Sequence, residues 1–188
     1  MPNLTKQIEA TMRKLQIPDE TIAKFVFPEN NQPEGIMALI AQMDELLPIE
    51  QRLAVMQEQG CCVTGKPAAA HTAFGRKHAG KSLEEKIRLL GESDIVHNPP
   101  CKLNADGTLS VFWSFENDGE YKCVCGFVRK LAVPTVVSPT FCGCCGGHVR
   151  KNLQRSLGVK LRLVNIVSSA ASTGGKRRCE FLYDISGK

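Results

Sequence analysis

Residues 142–164 read CGCCGGHVRKNLQRSLGVKLRLV, and this stretch decides the fold. Val149, Leu153 and Leu157 recur at every fourth position, the spacing of a single helix face. Gly158 then supplies the residue that ends such a helix. From Val159 to Val164 the period drops to two, with Leu161 and Leu163 alternating against Lys160 and Arg162, as in a half-buried strand. A helix that passes through one glycine into an alternating strand predicts a helix packed on an antiparallel sheet. Downstream, Ser172-Thr173-Gly174-Gly175 predicts a turn, and residues 178–185 predict a closing strand.

The rest of the chain agrees with that assignment. Upstream of the quoted stretch, Asn104-Ala105-Asp106-Gly107 and Asn117-Asp118-Gly119 predict turns. Leu109 to Trp113 and Tyr121 to Val128 have strand composition. The first sixty residues read differently. Leu4, Ile8, Met12 and Leu15 form one apolar stripe, and Pro18-Asp19-Glu20 restarts a helix. Ile36, Leu39, Ile40, Met43 and Leu47 form a stronger stripe that breaks at Pro48, and Ile49, Leu53 and Met56 continue it to Gly60. Helices persist from Lys66 to Glu92, where Ser82-Leu83-Glu84-Glu85 is a capping box and Gly91 a stop. Helices first and hairpins later predict an α+β fold. The expected division is a helical extension over 1–60 and an α+β, cysteine-rich, ligand- or metal-binding domain over 61–188.

Composition narrows the chemistry. The chain has 188 residues, 43% of them hydrophobic and 23% charged, and it carries nine cysteines. An odd number of cysteines cannot all pair within one chain. Met1-Pro2-Asn3 begins no basic-then-apolar leader, so the expected compartment is cytoplasmic, where thiols stay reduced. No membrane association is expected, since the longest uncharged stretch, Leu131 to Gly147, is broken by two prolines and three glycines. Residues 1–94 carry 11 basic and 13 acidic side chains, whereas residues 95–188 carry 13 and 6. That basic half has only one dense run, Lys176-Arg177-Arg178. A zinc-supported nucleic-acid binder is therefore the weakest of the functional readings.

Two clusters hold the distinctive chemistry, Cys123-Val124-Cys125 and Cys142-Gly143-Cys144-Cys145-Gly146-Gly147-His148. In a strand, Cys123 and Cys125 share a face. A helix start near Cys144 places Cys144 four residues and Cys145 three residues from His148. The intervening glycines would let the backbone wrap closely round an ion. Cys123, Cys125, Cys142, Cys144 and His148 are accordingly the metal-ligand candidates, with zinc as the expected metal; an iron–sulfur cluster would draw on the same thiolates. A second reading is thiol chemistry: Cys142 or Cys144, activated at a helix N-terminus, as nucleophile and His148 as proton acceptor, in a hydrolase or reductase acting on a small metabolite. His71 and His78 read as core or surface histidines, and Cys61, Cys62 and Cys101 as packed thiols. Whether the chain catalyses anything is left open by its sequence.

The succession CGCCGGHVRKNLQRSLGVKLRLVNIV, a glycine turn, then RRCEFLYDI resembles the C-terminal part of the 4-vinyl-reductase domain. The shared marks are the glycine-rich helix start, Leu157-Gly158 at the helix end, and a closing strand with Cys179, Phe181 and Ile185. That resemblance implies a ligand-binding fold shared with haem-based nitric-oxide sensors and a Golgi-trafficking subunit. It also implies Cys179 and residues 142–145 as metal or ligand contacts. The cysteine half is similar as well to an uncharacterised bacterial family with a Cys-rich motif before Gly-His. The function expected is a small-molecule-binding or sensory domain with a cysteine-lined, zinc-binding site, able to pair as a homodimer through its N-terminal helices.

Overall fold

The computed structural model describes residues 4–60, 64–113, 115–131 and 136–186. It is an α+β fold. Four helices come first: α1 (Leu4–Lys14), α2 (Asp19–Ile22), α3 (Pro33–Leu46) and α4 (Ile49–Glu58). Most residues of the predicted stripes are buried, while Leu15, beyond the end of α1, and Ile49 are exposed. Ile8 and Met12 of α1 and Ile36, Leu39 and Met43 of α3 are fully buried, each contributing about 1.5–3 kcal/mol of burial free energy. These buried residues belong to the core of the chain itself. Pro48 separates α3 from α4 by holding an extended conformation (φ −63°, ψ 156°) at the cap of α4.

Helices α5 (Gly65–Lys77) and α6 (Leu83–Gly91) follow. The Ser82 half of the capping box is present, with Ser82 Oγ accepting the Glu85 N–H at 3.2 Å, while the Glu85 carboxylate pairs with Lys81. A four-stranded antiparallel sheet then forms in the order β1 (Cys101–Leu103), β2 (Leu109–Trp113), β6 (Cys179–Ser186), β5 (Lys160–Ser168). A separate hairpin pairs β3 (Phe115–Asn117) with β4 (Glu120–Lys122). Its turn places Asp118 and Gly119 at φ 54° and 77°, the conformation a tight hairpin demands.

The longest helix, α7 (Pro139–Leu157), is the centre of the molecule. It packs on β5 and is flanked by α4 and α5. Val149, Leu153 and Leu157 are its core stripe, and Gly158 ends it in the left-handed region (φ 72°). In β5, Leu161 and Leu163 are buried as alternation predicts. A bulge after Leu163 then resets the phase, so that Ile166 and Ser168 face inward and the strand runs on to Ser168. Tyr183 of β6 is fully buried and donates its hydroxyl to the Gly146 carbonyl (2.8 Å), fastening α7 to the sheet.

Two local expectations are corrected. Residues 121–128 do not form one strand. β4 ends at Lys122 because β3, its partner, begins at Phe115, opposite Lys122, and offers nothing beyond it. The chain instead passes irregularly through Cys123 to Gly126 into a 3₁₀ turn, Val128–Lys130. α7 also starts five residues earlier than Cys144, where Ser138 caps it and Pro139 occupies its first turn. Cys61 and Cys62 lie outside the described residues. Among the described residues, no helix is long and apolar enough to cross a membrane.

Candidate functional site

The glycines of the 142–148 cluster serve a different purpose from cradling an ion. A Cβ on Gly143 would lie 2.7 Å from Met56 Cβ, and one on Gly147 only 1.9 Å from the Gln57 carbonyl oxygen. From the other side, a Cβ on Gly60 would meet the His148 backbone nitrogen at 2.7 Å. α4 and α7 therefore cross with their backbones nearly touching, which only missing side chains allow. The face one residue round is equally tight, since a Cβ on Gly146 would meet Leu163 at 2.8 Å. This crossing fixes which way each cysteine and His148 project.

The earlier helix start removes the electrostatic argument for Cys144. The pull of a helix N-terminus on a thiolate fades within the first turn, and Cys144 and Cys145 lie in the second. Cys144 gives its thiol hydrogen to the Gln59 carbonyl across the helix crossing (3.1 Å). Cys142 does lie in the first turn, but burial pushes its thiol up to about 12. A thiol held protonated in this way is a poor nucleophile at neutral pH.

The cysteine that the surroundings do activate is Cys125. Its sulfur is favoured as thiolate by the neighbouring Cys145 thiol and by the backbone N–H groups of Val128 and Phe127, with Arg129 nearby. Together these hold Cys125 down to about 6 against the cost of its burial, while the neighbouring Cys125 and burial push Cys145 upward. The two N–H groups are available because the chain turns at Gly126 into the 3₁₀ segment instead of continuing as a strand. Cys123 is raised to about 11 by burial, and Cys142, Cys123 and Cys179 lie within electrostatic reach of one another. Cys179 is buried and accepts the Ala170 N–H at 3.4 Å. Cys101 stands apart, its thiol on the Pro99 carbonyl (3.2 Å) and pushed up to about 12 by burial. The described cysteines are all free thiols. Among the described residues, no group of three or more His, Cys, Asp or Glu side chains is arranged to hold a metal ion.

A second cluster, of imidazoles, stands at the same end of the sheet. The His148 ring lies 5.3 Å from the His97 ring and 5.9 Å from Trp113, centroid to centroid, and His97 stacks on Trp113 at 5.7 Å. Trp113 is in turn the register partner of Cys179 on β6, so the clusters are adjacent. His71, fully buried on α5, is close enough to feel the charge of both other rings; desolvation lowers its pKa. Its Nδ1 lies 2.7 Å from Ser156 Oγ. His71 Nε2, His97 Nδ1 and His148 Nε2 are all buried without a hydrogen-bond partner. His97 occupies the left-handed region (φ 63°), unusual for a residue with a side chain and costing about 1–3 kcal/mol. The 91–100 loop is held there by Asn98, whose Nδ2 donates to the Leu90 carbonyl at 2.5 Å. Neither His97 nor Trp113 was marked by sequence motif or spacing. The one available signal was the Pro99-Pro100 pair, which stiffens the loop that carries His97.

Two further features are less distinctive. A cavity of about 310 Å³ opens at the N-terminal end of α7, where Asp44 accepts from Arg52 (2.5 Å) and from the Thr140 hydroxyl (2.5 Å). Its lining includes no cysteine or histidine. Lys176, Arg177 and Arg178 are exposed in the connection between β5 and β6, and the Arg178 guanidinium sits 3.8 Å above the Phe112 ring.

No protein-family model matches the chain, the 4-vinyl-reductase domain included, and no curated protein matches it in sequence. Among solved structures it is similar to one titled as the crystal structure of an H-NOX protein from S. oneidensis in the Fe(II)NO ligation state. The identity is 10%, the TM-score 0.37, and the whole of each chain is covered. A likeness at that level carries no argument about ligand or activity.

Proposed function

We propose that this chain is a sensory domain that reads the thiol–disulfide state of its surroundings through Cys125 and Cys145. What supports the reading is the placing of the Cys145 thiol beside a Cys125 sulfur that the Val128 and Phe127 N–H groups also favour as thiolate. The Cys125 thiolate attacks one sulfur of a low-molecular-weight disulfide, forming a mixed disulfide and releasing one small thiolate. Cys145 then loses its proton and attacks the Cys125 sulfur. A Cys125–Cys145 bond forms, and the second small thiolate leaves. Two protein thiols are oxidised and one small disulfide is reduced to two thiols. The order follows from the opposite shifts of the two thiols, Cys125 being held down and its neighbour Cys145 held up until Cys125 is capped.

Treatment of the reduced protein with glutathione disulfide, followed by alkylation and peptide mapping, tests the reading. A Cys125–Cys145 link formed before any other is the expected result. Alkylation of Cys125 no faster than Cys123, with no link to Cys145, would overturn it.

A second reading is capture of a soft metal such as zinc by Cys123, Cys142 and Cys179, which lie within electrostatic reach of one another but are not arranged as a metal site as they stand. It requires about one equivalent of zinc or iron in protein purified under reducing conditions. It fails if a metal-free protein is fully folded and does not take up added zinc.

A further inference from the structure

The cavity at the N-terminal end of α7 takes no part in the thiol chemistry, and its walls carry a different set of groups. About 310 Å³ in volume, it is bounded by the end of α3, the start of α4, the first turn of α7 and the bulged part of β5. Ile49, Leu53 and Ile166 give it an apolar wall, and Asp44, Arg52 and Asn165 a polar one. A concave space of this size, part apolar and with a few converging polar groups, is the usual form of a small-molecule site. Asp44 Oδ1 accepts from Arg52 Nη1 (2.5 Å) and from the buried Thr140 hydroxyl (2.5 Å). The two charged side chains are only 31% and 21% exposed, so opposite charges attract more strongly there than in bulk water. Among the described residues, Asp44 Oδ2 and Arg52 Nη2 have no hydrogen-bond partner, and neither atom is sealed from solvent. One free carboxylate oxygen therefore stands beside one free guanidinium nitrogen. The start of α7 adds no donor of its own, because the Thr140 and Phe141 N–H groups are taken by Ser138.

We propose that this cavity binds a free aliphatic α-amino acid. In such a zwitterion the carboxylate and the ammonium are one carbon apart, which matches a cation and an anion already hydrogen-bonded to each other. The carboxylate pairs with Arg52 Nη2, the ammonium donates to Asp44 Oδ2, and the aliphatic side chain lies on Ile49, Leu53 and Ile166. A ligand with only one charge fits less well, since it meets a like charge on Asp44 or on Arg52. Thr140 and Arg52 hold Asp44 in place before any ligand arrives, which lowers the entropy lost on binding. Asn165 supports the inference independently. It stands exposed where the β5 register shifts, and bulges of this kind re-aim a side chain beside functional sites. Its amide both donates and accepts, so it serves either end of the zwitterion.

Titration calorimetry of the reduced, full-length protein with L-leucine, L-isoleucine, L-valine and L-methionine tests this. The expected result is saturable one-to-one binding of at least one of them. Analogues of the best binder without its ammonium or without its carboxylate (for leucine, 4-methylpentanoate and 3-methylbutylamine) should bind about tenfold more weakly or worse, as should the amino acid itself to Arg52→Gln. Ile49 is exposed at the rim of the cavity, so Ile49→Trp fills the space without disturbing the core. That variant should abolish binding, and it keeps the test decisive even if Arg52→Gln does not fold. Absence of saturable binding of all four amino acids would overturn the proposal. Unchanged affinity in folded Ile49→Trp would place any binding elsewhere and overturn it too, and a deaminated analogue that binds as tightly as its amino acid would sink the zwitterion.

Discussion

The thiol cluster and the imidazole nest stand side by side at one end of the sheet, yet they are built in opposite ways. The thiols come from two short segments, 123–125 and 142–145, together with Cys179 on the neighbouring strand. Their close partners are other thiols and local backbone groups. The imidazoles come one each from α5, the 91–100 loop and α7, and two of them, His97 and His148, meet on a tryptophan from β2. A local cluster can be tuned by a turn of chain, as Gly126 and the 3₁₀ segment tune Cys125. A cluster gathered from four elements depends on how those elements pack, above all on the crossing of α4 and α7. The two sites should therefore fail differently when the molecule is perturbed.

The largest expected effect follows from that crossing. Gly147→Leu drives a side chain into the Gln57 carbonyl, and overpacking against backbone costs about 3 kcal/mol or more. Urea unfolding should show this loss, whereas Gly126→Leu, at an exposed position with only Arg129 within 4 Å, should change little. If Gly147→Leu is as stable as wild type, the crossing does not organise the two sites.

Next in size is an effect confined to the thiols. The alkylation rate of Cys125 should rise with pH to a half-maximum near 6 and then level off. In Cys145→Ala the neighbouring thiol is gone, so the midpoint should move up toward the ordinary range of cysteine. An unmoved midpoint would mean that the backbone N–H groups alone hold the thiolate.

The smallest effect belongs to the imidazoles. His71 has its pKa lowered by desolvation, so the folded state takes up its proton only below the pH at which the unfolded state does. The neutral ring is no burden above about pH 6.5, the ordinary histidine value. As pH falls below that value, the unfolded state gains protons that the folded state refuses, and stability declines. His71→Gln should flatten the fall in melting temperature between pH 7 and 5. A slope identical to that of the wild type would assign acid sensitivity to other groups.

Much of the fold could be read from local pattern. The α7–Gly158–β5 succession, the α3 stripe, the Ser82 cap and the glycine turns are all set by residues within a turn or two of one another. The errors arose where a partner elsewhere decides the outcome. Tyr121 to Val128 has strand composition, but a strand needs a neighbour, and β3 is only three residues long. The glycines at 143, 146 and 147 read as room for an ion, whereas their neighbours proved to be α4 and the sheet.

What the sequence determined by itself was the α+β order of elements and the segments in which the cysteines cluster, because periodicity, capping and cysteine spacing are properties of a local run. Only the tertiary structure decided which thiol is activated and which histidines meet. A pKa depends on the donors and burial that packing brings to a side chain. His97 joins His148, 51 positions away in the numbering, only after α5, α7 and the sheet have closed around Trp113.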